Sequence, residues 1–142
     1  MTKKEKKLLI KDLCARLPYG VKAYIKKWSK LDRKYYEGVY TVESIDTSLN
    51  TIIADSERSC VEVIVGYDDS EIKPYLFPMS SMTEEQWEEY QKIRMIDWVH
   101  GDINGTFINA GLIVDWLNTH HFDYRGLIEK GLAIDATNLN IY

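Results

Sequence analysis

Two prolines followed by a helix-start signal make residues 73–89 the most constrained stretch of this chain. Pro74 and Pro78 each favour extended backbone for the residue that precedes them. Thr83 and Gln86 then have the spacing of a capping box, in which both side chains satisfy free N–H groups at the start of a helix. The chain is therefore predicted to change from extended backbone to helix within this stretch.

The helix that follows is predicted from Glu84 to about Arg94. The glutamates of its first turn are favoured there by the helix dipole. Met82, just before the cap, is placed to pack against Trp87 as a hydrophobic staple. Beyond Ile93 the apolar residues no longer keep to one side, so the sequence leaves open whether the helix continues deeply buried or bends.

A helix and four short strands are predicted upstream of this stretch. Thr2 and Glu5 form another capping box, and an apolar stripe at helical spacing follows until Pro18 and Gly20 end the helix. The period then changes to two, which is typical of strands. Short turns favour an antiparallel meander, and strong twist would curl it into a small half-open barrel of the SH3 type. The predicted strands are 21–28, 36–46, 51–54 and 60–67.

A further helix, at about 110–121, is clearly amphipathic. Its spacing puts His120 on the apolar side, where we expect the imidazole to donate a hydrogen bond to a backbone carbonyl. Asp123 is predicted to cap a short turn at 125–130, and an edge strand is expected at 132–134. Together these elements predict an α+β fold: an N-terminal helix, a four-stranded meander and two C-terminal helices.

The chain is expected to form a single domain over residues 1–142. Residues 1–72 hold the basic helix and the strands, and residues 73–142 hold the proline joint and the helical region. A hydrophobic fraction of 45% at this length is enough for a core without disulfides or metal.

Charge is strongly segregated along the sequence. Residues 1–34 hold twelve Lys and Arg against three Asp and Glu, whereas the remainder holds six against nineteen. The favoured interpretation is that the basic segment packs near the acidic one, so that the electrostatic fields of the two segments partly cancel. The alternative is a surface for nucleic acid or an acidic partner.

Lysines and aromatic rings alternate along one face of the first strand. This face consists of Lys22, Tyr24, Lys26 and Trp28. Rings between cations suit single-stranded nucleic acid, because bases stack on the rings and phosphates meet the lysines. The alternative is that the rings pack under the first helix while the lysines extend to solvent.

Candidate catalytic and metal-binding residues are few. His100 and Asp102 flank a glycine and make a weak acid–base pair for a hydrolase, to which no nucleophile is tied by sequence. His120 and His121 are adjacent and diverge by about 100° on a helix, so they do not readily bind one ion. The sequence therefore predicts no catalytic residue, no metal and no cofactor.

The location expected from the sequence is the cytoplasm. No signal peptide precedes the first helix, and no apolar run reaches the length of a membrane span. No contact with membranes is expected.

Four segments resemble a family of short, uncharacterised proteins of gut anaerobes and of their phages or other mobile elements. The segments are KDLCARLPYGVK at 11–22, IKPYL at 72–76, SSMTEE at 80–85 and DWLNTHHFDYRGLI at 115–128. The resemblance covers nearly the whole chain and implies a bacterial cytoplasmic setting and a phage or mobile-element gene. It brings no activity, cofactor or catalytic residue.

Three functions follow from these observations, in decreasing order of support. The first is a non-enzymatic interaction or accessory protein that uses aromatic surface for a protein partner or for self-association. The second is a nucleic-acid-binding module that uses the basic N-terminal third. The third is a hydrolase at His100 and Asp102.

Overall fold

The computed structural model describes residues 1–67, 70–100 and 103–142, with side chains described outside 96–109. The fold is α+β, with an N-terminal helix, a mostly antiparallel sheet and two further helices. The helices are α1 (Lys3–Arg16), α2 (Glu84–His100) and α3 (Ile103–Thr119). The strands are β1 (Lys22–Ser29), β2 (Lys34–Asp46), β3 (Thr51–Ser56), β4 (Ser59–Ile64), β5 (Ser70–Leu76) and β6 (Ile134–Asp135).

The sheet has six strands in the order β4-β3-β2-β1-β5-β6, two more than the four-stranded meander that the sequence predicted. β5, which includes the start of the proline stretch, was not predicted as a strand, but it pairs antiparallel with β1. Pro74 is tolerated because it lies opposite Ala23 at the end of that ladder, where a missing N–H costs least. β6 pairs parallel with β5; it overlaps the predicted edge strand at Ile134 and ends one residue later.

The sheet is strongly curled. Lys27 Nζ on β1 donates a hydrogen bond to the Glu62 carbonyl of β4, three strands away in the sheet order. In a flat sheet these strands would lie about 14 Å apart, which a lysine side chain does not span. The Ser70 hydroxyl also donates to the Ile64 carbonyl at 2.9 Å, so the start of β5 approaches the end of β4.

Two hydrophobic clusters form the core. The first joins α1 to the concave face of the sheet, where Leu9 and Leu13 of α1, Val21 just before β1 and Ile25 of β1 are fully buried. The second contains Trp116, Leu117 and Phe122 of α3 and the following loop, together with Phe77, Met79 and Met82 of the proline stretch. The helical region therefore packs on the proline stretch.

Backbone hydrogen bonds tie the proline stretch to the end of α3. The Phe77 N–H donates to the His121 carbonyl at 2.9 Å, and the Asp123 N–H donates to the Phe77 carbonyl at 2.8 Å. The capping box is present as well: the Gln86 N–H donates to Thr83 Oγ1 at 3.2 Å, and the Thr83 N–H donates to Gln86 Oε1 at 3.0 Å. This stretch is the joint between the sheet and the helices.

Both C-terminal helices are longer than the sequence predicted. α2 extends six residues beyond Arg94, and α3 begins seven residues before Ala110. The Gly, Asp and Asn content of residues 100–105 is typical of a turn. Gly105 nevertheless lies in α3, since an isolated glycine costs a helix only about 1 kcal/mol. In the described regions of the chain, no helix is both long and apolar enough to cross a membrane.

Substituting Thr83 by alanine is expected to lower the free energy of unfolding by about 1 kcal/mol, because the Gln86 N–H loses its acceptor. Urea denaturation followed by tryptophan fluorescence measures the change. Thr119→Ala is the matched control, since it also removes a threonine hydroxyl, but one that donates to the Asp115 carbonyl within α3 and caps no helix start. Equal stability of Thr83→Ala and the wild type would contradict the role of the cap.

Candidate functional site

The predicted ligand face of β1 is occupied by contacts within the chain. The Tyr24 hydroxyl donates to Glu37 Oε1 at 2.7 Å, and this bond raises the pKa of Tyr24 to about 12. Lys26 Nζ lies 3.4 Å from Glu37 Oε2. Trp28 packs against Tyr35, with ring centroids 4.9 Å apart. Glu37 therefore offsets the charge of Lys26, and the rings of Tyr24 and Trp28 are held by contacts within the sheet.

Lys22, the fourth residue of this face, binds the last residues of the sequence. Its Nζ donates to the Ile141 carbonyl at 2.6 Å, and its backbone N–H donates to the Tyr142 hydroxyl at 3.1 Å. The same hydroxyl donates to the Tyr75 carbonyl at 2.9 Å. Tyr142 thus bridges β1 and β5 just beyond Pro74, where their ladder ends.

The lysines of α1 line a groove about 770 Å³ in volume, between α1 and the turn that joins β2 to β3. Thr47 and Asn50 form the opposite wall, and Ile10 and Cys14 are the apolar residues of the lining. We call this the α1 groove. Its lysines are Lys3, Lys4, Lys6, Lys7 and Lys11.

The positive charge of the α1 groove is not neutralised by an ion pair within the described residues. Among the described residues, the ion pairs join Asp12 to Arg16 and Arg125, Lys26 to Glu37, and Lys73 to Glu71, and none of them includes a groove lysine. The sequence favoured pairing between the basic segment and the acidic remainder. For the groove lysines, no such pair is found among the residues that the structure describes.

A buried ionic cluster joins α1 to the loop after α3. Asp12 and Arg16 are fully buried, with Arg16 Nε 2.8 Å from Asp12 Oδ2. Arg16 Nη2 donates to the Phe122 carbonyl at 2.7 Å, and Arg125 Nη1 donates to Asp12 Oδ1 at 2.8 Å. Sequence reasoning missed this cluster, although an Asp and an Arg four residues apart beside a buried stripe are its signal.

The two adjacent histidines have different environments. His120 is half-buried, and its Nδ1 lies 2.9 Å from the Trp116 carbonyl. Because a carbonyl only accepts, the proton lies on Nδ1, in the geometry predicted from the sequence. His121 is the more buried of the two, at 7% exposure, and the sequence did not single it out.

His121 ends α3 in a left-handed conformation, with φ of 56°. Its N–H donates to the Asn118 carbonyl, and the Phe122 N–H donates to the Leu117 carbonyl, which together make a Schellman motif. This position usually holds glycine, so the histidine is held there by its surroundings. Its ring stacks on Tyr142 with centroids 3.9 Å apart.

The environment of His121 opposes its protonation. Burial is the main cause, followed by the positive charge of Arg16, and together they lower the pKa of His121 to about 4. Among the described residues, His121 Nδ1 has no hydrogen-bond partner. His121 is therefore neutral near pH 7. Its role is structural, at the end of α3 where its ring stacks on Tyr142.

The remaining predicted residues have structural roles or fall outside the described regions. Both carboxylate oxygens of Asp123 accept backbone N–H groups, from Leu127 at 2.9 Å and from Ile128 at 2.8 Å. Met82 packs in the second cluster and Trp87 is 49% exposed, so the staple between them stays a prediction. Asp102 and the side chain of His100 lie outside the described residues.

An exposed apolar surface lies on the pair formed by α2 and α3. The rings of Tyr90 and Trp116 meet at 5.7 Å between the two helices. Beyond this contact, Met95 on α2 is 63% exposed and Leu112 on α3 is 45% exposed. We call Met95 and Leu112 the hairpin patch.

In the described regions of the chain, no group of three or more His, Cys, Asp or Glu residues is placed to hold a metal ion. Comparison of the chain with protein-family models, curated proteins and solved structures gives no match. The function is therefore inferred from the surfaces of this chain alone.

Proposed function

We propose that this chain is a non-enzymatic interaction protein that self-associates through the hairpin patch. The observation that carries the proposal is the exposure of Met95 and Leu112 on a helical pair. Exposed apolar residues that cluster on one structural unit mark interaction sites more often than scattered ones do.

The composition of α3 supports an interface on this helix. Asp115 is the only charged residue among its 17 residues. Leu112 and Val114 point about 200° apart around the helix, yet both are exposed. α3 therefore exposes apolar side chains on more than one side. A second surface packed on this helix would cover Leu112.

The charge pattern of α2 favours a second copy of this chain as that surface. Exposed glutamates occupy its first turns, at 84–89, and the exposed cations Lys92 and Arg94 follow. Two antiparallel copies of α2 place each acidic segment opposite the other's basic segment. Such self-complementarity is what a two-fold symmetric interface requires, and two helical pairs then form a four-helix arrangement.

The wild-type protein is expected to be a dimer, with a mass in light scattering twice the chain mass of 16.6 kDa. Leu112→Glu is expected to weaken dimerisation at least about 100-fold, because it buries an unpaired carboxylate at the interface. Size-exclusion chromatography with light scattering over a concentration series measures both.

Leu139→Glu is the matched control, because Leu139 is 44% exposed and lies outside the helices. It should leave the dimer intact, and circular dichroism should show that both variants are folded. A monomeric wild type at all concentrations contradicts the proposal, and so does equal loss of dimer in the two variants.

The biological setting is a separate proposal. The resemblance of the four segments to proteins of gut anaerobes and their phages supports a bacterial, phage- or mobile-element gene and a cytoplasmic location. The genes that flank this one test it: chromosomal housekeeping genes on both sides would contradict the proposed origin.

A further inference from the structure

We propose that the α1 groove binds the phosphate backbone of a nucleic-acid duplex. This site is independent of the hairpin patch, and it differs from the β1 face to which the sequence assigned nucleic acid. Its five lysines lie within about 12 Å of helix length, between Lys3 and Lys11. A polyanion matches so dense a row of cations.

The acidic groups nearest to the row offset only part of its charge. Glu5 accepts the Thr2 N–H at 2.6 Å and serves as a member of the N-terminal capping box. Asp12 is fully buried with Arg16. Asp46, at the end of β2, accepts three hydrogen bonds from its own turn. Glu5 and Asp46 keep their negative charges, but the five lysines outnumber them, and among the described residues none of the five is in an ion pair. The groove therefore keeps a net positive charge for a ligand.

The residue types of the groove favour backbone contacts over base reading. Among the described residues, neither an arginine nor an aromatic ring lines it. Lysine binds a phosphate as a point charge, whereas arginine recognises guanine through bidentate hydrogen bonds. Without rings there is no platform for unstacked bases. We therefore expect duplex binding with little dependence on base sequence.

An acidic protein segment is a poorer match for this groove. Protein interfaces draw most of their affinity from apolar or aromatic anchors in pockets. Here Ile10 is only 7% exposed and Cys14 is half-buried, so the apolar lining of the groove comes largely from the methylene stems of the lysines rather than from a pocket for an anchor. Binding to nucleic acid draws instead on counterion release, for which exposed lysines suffice.

The test is fluorescence anisotropy with a labelled mixed-sequence DNA duplex of about 20 base pairs, titrated from about 50 to about 200 mM salt. A slope of log K against log salt of about −4.5 is expected if all five lysines contact phosphates. Substituting Lys3, Lys7 and Lys11 by glutamine should reduce the slope to about −2. Unlabelled duplex RNA and single-stranded DNA serve as competitors, and duplexes should compete better.

The control is the substitution of Lys26, Lys30 and Lys34 by glutamine, which changes the net charge equally outside the groove. It should keep the wild-type slope. Absence of binding at the lowest salt overturns the proposal, as does an equal loss in the control. If the groove variant instead loses the dimer mass in light scattering, the groove binds a second copy and the proposal fails. Duplex binding that persists in Leu112→Glu separates this site from the hairpin patch.

Discussion

Asp12→Asn is expected to lower the free energy of unfolding by about 3–5 kcal/mol, because it leaves the guanidinium of Arg16 buried without a counter-charge. Arg16 is fully buried, and Asp12 is the carboxylate that contacts both Arg16 and Arg125. Urea denaturation followed by tryptophan fluorescence measures the loss. The double variant Asp12→Leu/Arg16→Met should recover most of it, since removing both charges also removes the cost of burying them.

The matched control is Glu71→Gln, which breaks the partly exposed pair between Glu71 and Lys73, 2.8 Å apart. That pair is screened by solvent, so its loss should cost at most about 1 kcal/mol. Equal effects of Asp12→Asn and Glu71→Gln would show that burial does not determine the strength of these pairs. A double variant less stable than Asp12→Asn would mean that the cluster itself is net stabilising.

Acid is expected to destabilise the protein through His121. Its pKa is lowered to about 4 in the folded state, against 6.5 for the ordinary side chain. As the pH falls below about 6.5 the unfolded chain binds a proton that the folded chain does not, so stability is lost until about pH 4. The loss attributable to this group is about 3 kcal/mol at the acid end.

The groups around His121 determine this direction. Arg16 on α1, Lys22 on β1 and His120 next to it all oppose its positive charge, and only the carboxylate of Asp12 favours it. Burial is nevertheless the first cause, and the stacked ring of Tyr142 contributes to it.

The measurement compares the free energy of unfolding at about pH 7.5 and about pH 4.5. His121→Asn should reduce the difference between the two values, because asparagine tolerates the left-handed backbone and does not titrate. His120→Gln should leave the difference close to that of the wild type. The assignment fails if His121→Asn keeps the full acid loss.

Much of the local structure follows from the sequence, because it depends on residues close together in the chain. The capping boxes at Thr2 and Thr83 need partners only three residues away. The alternation that buries Val21 and Ile25 depends only on the strand period. The α+β class follows from the order of these elements.

The extra strands and longer helices were not predictable in the same way. β5 contains Pro74, and a proline disfavours a strand unless it lies at an edge or at the end of a ladder. Only the structure shows that Pro74 lies at the end of the β1 ladder. The first turns of α3 contain Asn104 and Gly105, whose low helix propensity does not predict a helix at this place. Local propensity is weak, and tertiary packing overrode it at both places.

The sequence by itself determined the joint at 73–89, the basic first helix and the presence of two histidines at the end of α3. Only the tertiary structure decided which charges are buried and which stay on the surface. Arg16 is buried because the Phe122 carbonyl, 106 positions away, accepts its hydrogen bond, and the β1 lysines are engaged because Glu37 and Tyr142 reach them. Contacts across such distances depend on how the elements pack, and no local pattern encodes them.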